Sequence, residues 1–569
     1  MDEPIVSFQD FGFQYNAQSE PTLHHIDLTI RKGEKVLIVG PSGCGKSTLA
    51  HCMNGLIPFS YRGESTGSVT IRGKETKTLS LFEISRTVGT VLQDSDGQFI
   101  GLTVAEDIAF ALENDCVRDP ELHERVLKAA KAVGIDTHLL HAPRELSGGQ
   151  KQRVALAGVM VDDVDLLLFD EPLANLDPAT GKSAMELIGE IHARTGAAVV
   201  IIEHRLEDVL HRDVDRIVLM KGGRILADLP PDELLSSPLL RENGIREPLY
   251  VTALRYAGVT VMPEMLPHSI RTVRLSEEDR EKVRSWFRSR PVTRPEETRP
   301  WLLEAEHVTF SYDSGHCALS DVSVSVRRGE LVAIVGTNGA GKSTFSKVVC
   351  GFEKEQEGEI RFAGCDWASL SLKERADHAG YVMQNPNQMI SKPMIFDEVA
   401  LGLRTRGVVE EEIRPRVENT LKICGLWPFR NWPVSALSYG QKKRVTIASI
   451  LVLEPEMIIL DEPTAGQDYR HYTEIMEFLR KLNRDGITVV MITHDMHLML
   501  EYAERSVVFS GGRVIANDTS AGILTDKDVI ARANLKETSL YDLAVMCGIP
   551  EPRDFVQRFI DHEREVYRT

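Results

Sequence analysis

Two glycine-rich stretches hold the residues best suited to bind phosphate. One contains Gly40, Ser42, Gly43, Gly45, Lys46, Ser47 and Thr48, and the other Gly336, Asn338, Gly339, Gly341, Lys342, Ser343 and Thr344. Glycines let backbone N–H groups turn inward onto phosphate oxygens. The lysine reaches the β- and γ-phosphates, and the serine after it offers a hydroxyl to Mg²⁺. Each stretch opens a helical pattern, whose N-terminal dipole adds positive potential. Asp170-Glu171 and Asp461-Glu462 follow the apolar runs 166–169 and 457–460. The first carboxylate of each pair can enter a Mg²⁺ shell, and the second can polarise an attacking water as general base. Ser147-Gly148-Gly149-Gln150 and Ser438-Tyr439-Gly440-Gln441 each precede a helical run. Such a serine is either a plain helix N-cap or the start of a second phosphate-binding terminus. His204 and His494 follow apolar strand patterns. They read either as structural histidines or as γ-phosphate contacts.

The elements that must position these groups occur twice and in the same order. The first loop recurs 296 residues on, whereas the serine turns and acidic strand ends recur at 291 and the histidines at 290. This is one domain duplicated within the chain. The shortfall places about five extra residues in the first copy, in the stretch 57–65, which is expected as a surface loop. Short apolar runs precede each glycine-rich turn, and others fall at 166–169, Ala198–Ile202, 457–460 and Thr488–Ile492. Runs of this length between helical patterns predict buried parallel strands, hence an α/β fold with a P-loop core in each copy. The expected organisation is a first domain over 1–245, a connecting segment over 246–300, a second domain over 301–530, and a C-terminal helical tail over 531–569. The part around 265–300 is rich in Arg, Glu and Pro and reads as a solvated linker, with a charged helix predicted over 276–289. The tail's apolar stripes suit packing against the domain surface.

Composition narrows the function classes. The 569 residues carry 66 Lys+Arg against 84 Asp+Glu, a net charge of −18. That balance argues against broad binding to nucleic acid, which favours basic surfaces. Hydrophobic residues at 42% and charged residues at 26% fit a folded globular chain. No apolar run reaches the roughly 18 residues of a membrane span, and the N-terminus shows no leader pattern. The expectation is a protein made and kept in the cytosol. Eight cysteines are scattered without a C-x-x-C pair, which argues against a disulfide framework or structural zinc.

Taken together, the ordered motifs resemble the ATP-binding-cassette (ABC) ATPase family, over residues 4–240 and 302–530. The resemblance implies two tandem P-loop domains, each with an α/β core, an antiparallel β subdomain and a helical subdomain. It implies ATP and Mg²⁺ as cofactors. Glu171 and Glu462 match the catalytic bases, with His204 and His494 as the switch histidines. Tyr15 and Tyr312 match the adenine-stacking aromatic. Gln93 and Gln384 match the glutamine that links Mg²⁺ and water to the transporter interface. The metal set is then Ser47, Gln93 and Asp170 in one copy and Ser343, Gln384 and Asp461 in the other. Asp177 and Asp468 match the D-loop aspartates. Family members work as head-to-tail dimers, so Ser147, Gly148, Gly149 and Gln150 would close the second site, and Ser438, Tyr439, Gly440 and Gln441 the first. Tyr439 departs from the family's glycine, so the two sites need not be equivalent.

Finer features are similar to energy-coupling-factor (ECF) and cobalt-type vitamin importer ATPases. They are Gln93-Asp-Ser-Asp-Gly-Gln98 and Gln384-Asn-Pro-Asn-Gln388 with the helical runs after them, the signature Leu437-Ser-Tyr-Gly-Gln-Lys-Lys-Arg444, and Pro248-Leu-Tyr-Val-Thr-Ala-Leu254. That likeness implies a peripheral subunit on the cytoplasmic face of the membrane. It would drive uptake of a vitamin, vitamin precursor or transition-metal ion, with a transmembrane T component and a substrate-binding S component as partners and no nucleic acid. Rivals are a twin-cassette ABC-F-like factor acting on the ribosome and a fused importer ATPase for another solute. The short linker and acidic charge disfavour the former, and the intact catalytic residues of both copies disfavour the latter.

Overall fold

Alternating side chains of strand Lys35–Val39 serve two cores at once. Val36 and Ile38 face one apolar cluster, and Leu37 and Val39 face another. Successive strand side chains point to opposite faces, so a strand covered on both sides reads as an unbroken apolar run. Leu166–Asp170 and Ala198–Ile202 behave likewise, with Leu167, Phe169, Val199 and Ile201 in one cluster and Leu166, Leu168, Val200 and Ile202 in the other. Each such buried side chain contributes roughly 1.5–3 kcal/mol.

The computed structural model describes residues 4–92, 96–173, 176–289, 299–313, 315–464 and 469–566. Two compact units form, Met1–Trp286 and Phe287–Thr569. In the first unit a six-stranded sheet runs in the order Arg224–Leu229, Arg216–Lys221, Lys35–Val39, Ala198–Ile202, Leu166–Asp170, Val88–Val91. Its strands are parallel except Arg224–Leu229, which pairs antiparallel at the edge. A second sheet is antiparallel, ordered Leu23–Arg31, Pro4–Tyr15, Gly63–Ile71, Lys74–Glu75. The helices Val104–Asn114, Glu121–Val133 and Gly148–Met160 supply the helical part and share one cluster with the parallel sheet.

The second unit repeats this plan. Its parallel sheet is ordered Ala379–Val382, Met457–Asp461, Thr488–Ile492, Leu331–Gly336, Arg505–Ser510, Arg513–Asp518, again with an antiparallel last strand. The antiparallel sheet is Cys317–Arg327, Trp301–Ser311, Glu357–Phe362, Cys365–Asp366, and the helices are Ile395–Thr405, Glu410–Ile423 and Tyr439–Leu451.

Three segments add to the expected organisation. Residues 57–65, expected as a surface loop, instead close a short helix, Leu56–Phe59, and begin strand Gly63–Ile71. Aromatic contacts hold them, because Tyr61 stacks on His51 at 4.7 Å and packs edge-on to Tyr15 at 6.1 Å. Within 246–289, helix Leu249–Tyr256 buries Tyr250, Val251 and Leu254, and Tyr250 donates its hydroxyl to the Pro267 carbonyl at 2.5 Å. The charged helix spans Glu277–Arg288. At the C-terminus, helices Ser539–Met546 and Pro552–Val566 bury Leu540, Leu543, Phe555 and Phe559. No helix among the described residues is long and apolar enough to cross a membrane.

Candidate functional site

Both glycine-rich loops join the end of a central strand to a helix that begins at the lysine. The helices are Lys46–Met53 and Lys342–Cys350. Gly45 and Gly341 precede them with φ of +101° and +97°. A Cβ on Gly341 would lie 2.5 Å from the Ala318 carbonyl oxygen, so only glycine fits both backbone and space. Lys46 Nζ donates to the carbonyls of Gly40 (2.8 Å) and Pro41 (3.1 Å), and Lys342 Nζ to those of Gly336 and Thr337, both at 2.8 Å. Each buried ammonium thus braces the loop that it follows. Ser42, Gly43, Asn338 and Gly339 stand exposed at the loop tips. The hydroxyl of Tyr15 bonds Thr48 Oγ1 at 3.1 Å, and Tyr312 bonds Thr344 Oγ1 at the same distance. Both rings are therefore fixed beside the loop.

The acidic pairs stand at strand ends, where the chain turns sharply. Glu171 and Glu462 have φ of +49° and +45°. Residues other than glycine rarely adopt this conformation, and it concentrates at functional sites. Backbone bonds hold it, from Glu171 N to Ile202 O and from Glu462 N to Ile492 O, both 2.9 Å. His204 Nε2 meets Glu171 Oε1 at 3.0 Å, and His494 Nδ1 meets Glu462 Oε1 at 2.7 Å. The two histidines present different ring nitrogens to their glutamates.

Carboxylates crowd this region. Burial pushes the Asp170 carboxyl up to about 6, and the Glu171 and Glu203 charges add to that effect, while the Ser47 hydroxyl and Lys46 oppose it. Asp170 Oδ1 is buried without a hydrogen-bond partner. Burial also raises Asp461, whose Oδ2 accepts from Ser343 Oγ (3.0 Å) and Tyr381 OH (2.9 Å). A serine hydroxyl beside a buried carboxylate, with surplus negative charge, is a hard-oxygen donor set. It fits Mg²⁺, which takes one or two carboxylates together with substrate phosphates and water.

Ser147 and Ser438 cap helices Gly148–Met160 and Tyr439–Leu451 through capping boxes. Each serine side chain accepts from the backbone N–H of Gln150 or Gln441, and each glutamine side chain accepts from the serine N–H. Both serines are exposed, as are Gly148 and Tyr439, while Gly149 is half-buried and Gly440 buried. Asp177 caps helix Pro178–Thr195 by accepting from Thr180 N and Oγ1. Gln384 offers its carbonyl to Lys443 Nζ and Tyr439 OH. Gln93 and Asp468 lie outside the described residues.

Sequence reasoning missed three residues around the site. Glu203 is buried, and its carboxylate accepts from the N–H groups of Leu173, His204 and Arg205. The matching position in the second copy is Thr493, whose hydroxyl donates to Glu462 Oε2 at 3.4 Å. Lys443 is 1% exposed and lies where the first copy has Gln152. Tyr381 stands where the first copy has Thr90. All three are differences between aligned copies, and a residue-by-residue comparison of the repeats could have found them.

A phosphate loop, an acidic strand end, a capped signature helix and a switch histidine, all on one α/β core, define an ATP-binding cassette, and this chain holds two. It belongs to the ABC transporter family, whose profile matches residues 23–174 and 319–465, and it is an ATPase of that family. A second family, described as ATP-binding cassette cobalt transporter, matches residues 237–310. Similar proteins include one from Clostridium perfringens named for an ABC transporter ATP-binding protein, 60% identical over 560 residues and covering 98% of each chain. One of like name from Enterococcus faecalis is 56% identical, covering 100% of both chains. Among solved structures, cbiO1 of Clostridium perfringens, part of the ABC transporter complex cbiONQ, is 35% identical over 41% of this chain and 94% of its own, with a TM-score of 0.38.

Proposed function

We propose that this chain is the fused ATPase subunit of an ECF-type importer, working on the cytoplasmic face of the membrane with a transmembrane T component and a substrate-binding S component. Its cargo class is a vitamin, vitamin precursor or transition-metal ion. The observation that carries this reading is the cobalt-transporter match over 237–310, set between two cassettes that both keep their catalytic residues. The signature variant around Tyr439 supports it as well.

In this reading each glycine-rich loop and its lysine hold the ATP phosphates, and Tyr15 or Tyr312 stacks on the base. Ser47, Asp170 and Gln93 would hold Mg²⁺ in the first cassette, and Ser343, Asp461 and Gln384 in the second. When bound, the ion neutralises charge on the β- and γ-phosphate oxygens. Glu171 and Glu462 take the proton from the attacking water, already oriented by their histidine bonds. His204, His494 and the two lysines stabilise charge at the γ-phosphate. The cassettes pair head to tail, so each signature serine closes over the nucleotide of the other cassette, flanked by Asp177 and Asp468.

The test is co-purification from native membranes, using the Glu171→Gln/Glu462→Gln variant with ATP and Mg²⁺. Recovery of small, very apolar integral proteins is expected, and their identity points to the cargo. Recovery of ribosomes without membrane proteins contradicts the proposal.

A further inference from the structure

In the second cassette, side chains of the signature helix reach the start of the glutamine loop. Lys443, one turn into helix Tyr439–Leu451, is 1% exposed and donates to the Met383 carbonyl at 2.8 Å and the Gln384 carbonyl at 2.7 Å. Tyr439 OH donates to the same Gln384 carbonyl at 3.3 Å, and Lys442 Nζ reaches Asn387 Oδ1 at 3.4 Å. Three residues of one helical turn therefore grip the start of one loop. In the first cassette Lys442 is matched by another lysine, Lys151, whereas Tyr439 is matched by Gly148, which has no side chain to reach with, and Lys443 by Gln152, which donates to the Pro172 carbonyl.

We propose that Lys443, assisted by Tyr439, is a positioning residue that clamps the glutamine loop of the second cassette to its signature helix, so that the two move as one body. The proposal rests on the reading of Gln384 given above. Burying an ammonium group is costly unless its donors are satisfied and opposite charge is near. Both conditions are met, by the two carbonyls and by the charges of Asp461 and Glu462. A lysine side chain is flexible by itself, but one held by two adjacent carbonyls fixes their direction and hence the plane of the peptide between them. That peptide, between residues 383 and 384, sets where the Gln384 side chain departs. Tyr439 replaces the first glycine of the signature, and its hydroxyl adds a second tie to the same oxygen. The departure from the family signature is thereby put to use within its own cassette. The consequence is mechanical. A displacement of the glutamine loop by a membrane partner is passed directly to the signature turn at Ser438.

The experiment uses the full chain, with Lys443→Gln as the main variant, since glutamine is the residue with which the first cassette folds at this position. Lys443→Arg, Tyr439→Phe and Gln384→Ala are run beside it. Backbone amide exchange over residues 383–390 and the kcat and KM of ATP hydrolysis are measured for each. The expected results for Lys443→Gln are at least tenfold faster exchange in that segment and at least a fivefold lower kcat, with KM for ATP within twofold. Lys443→Arg is expected to restore at least half of both, and Tyr439→Phe to speed exchange by a smaller factor. Exchange and kcat within twofold of wild type in Lys443→Gln, alongside a slow Gln384→Ala, overturn the clamp and leave the role of Gln384 standing. An unchanged kcat in Gln384→Ala removes that role instead, whereas fast exchange in Lys443→Gln still upholds the clamp.

Discussion

Glu203 shows how much of a site rests on single residues. Its carboxylate satisfies three backbone N–H groups, those of Leu173, His204 and Arg205, and so ties the switch histidine to the turn after the acidic strand end. Glu203→Leu leaves these donors without an acceptor, and each such loss costs roughly 1–3 kcal/mol. Denaturant unfolding of this variant is expected to show a loss of at least about 3 kcal/mol in the first unit, and ATP hydrolysis is expected to slow as His204 loses its seat. The second prediction at this scale concerns the loop lysines. Lys46→Ala or Lys342→Ala removes a charge-assisted contact with the phosphates, and at about 1.5–3 kcal/mol this weakens ATP binding at one site by roughly 10–150-fold. Equilibrium binding is then expected to show one tight site per chain, and two unchanged sites would count against the assignment. The motif residues were legible in the sequence because phosphate and Mg²⁺ chemistry admits few residue types at few spacings. Glu203, Lys443 and Tyr381 were not, because the contacts with Leu173, with the Met383 and Gln384 carbonyls and with Asp461 that give them their roles lie 30 to 80 residues away in sequence.

Elements were legible wherever burial imposed a pattern. The runs at 166–169 and 457–460 are strands because both their faces are covered, and the structure extends each by the aspartate at its end. The stretch 57–65 reads as a loop because it holds the residues by which the first copy exceeds the second, whereas the ring contacts among His51, Tyr61 and Tyr15 are invisible to local patterning. Residues 246–289 likewise read as a connection, and the burial of Tyr250 and Val283 is the fact that composition conceals. One prediction concerns the turn into helix Lys342–Cys350. Gly341→Ala forces a Cβ against the Ala318 carbonyl at positive φ, with an expected loss of at least ~2 kcal/mol by denaturant unfolding. Another concerns the C-terminal helices. Deleting residues 539–569 strips Leu540, Leu543, Phe555 and Phe559, all under 2% exposed, from the second unit. At roughly 1.5–3 kcal/mol per side chain, a drop in melting temperature of more than about 10 °C is expected by calorimetry.

At the scale of the whole molecule, duplication is the main fact. The two units repeat one topology strand for strand, and both keep a phosphate lysine, a paired carboxylate and a histidine on that carboxylate. They differ in what surrounds these groups, with Glu203 opposite Thr493, Gln152 opposite Lys443 and Gly148 opposite Tyr439. The repeat is plain from motif spacing alone, since four motifs in one order at nearly constant offset admit no other reading. The surroundings were not, because they are set by tertiary contacts in each copy separately. The central claim is that both cassettes hydrolyse ATP through their own glutamate. Its most direct test is steady-state hydrolysis by Glu171→Gln, Glu462→Gln and the double variant, with bound nucleotide counted per chain. The double variant is expected to retain two ATP molecules while its turnover falls at least a hundredfold, and each single variant to lose part of the rate. A double variant that turns over at the wild-type rate would contradict the account.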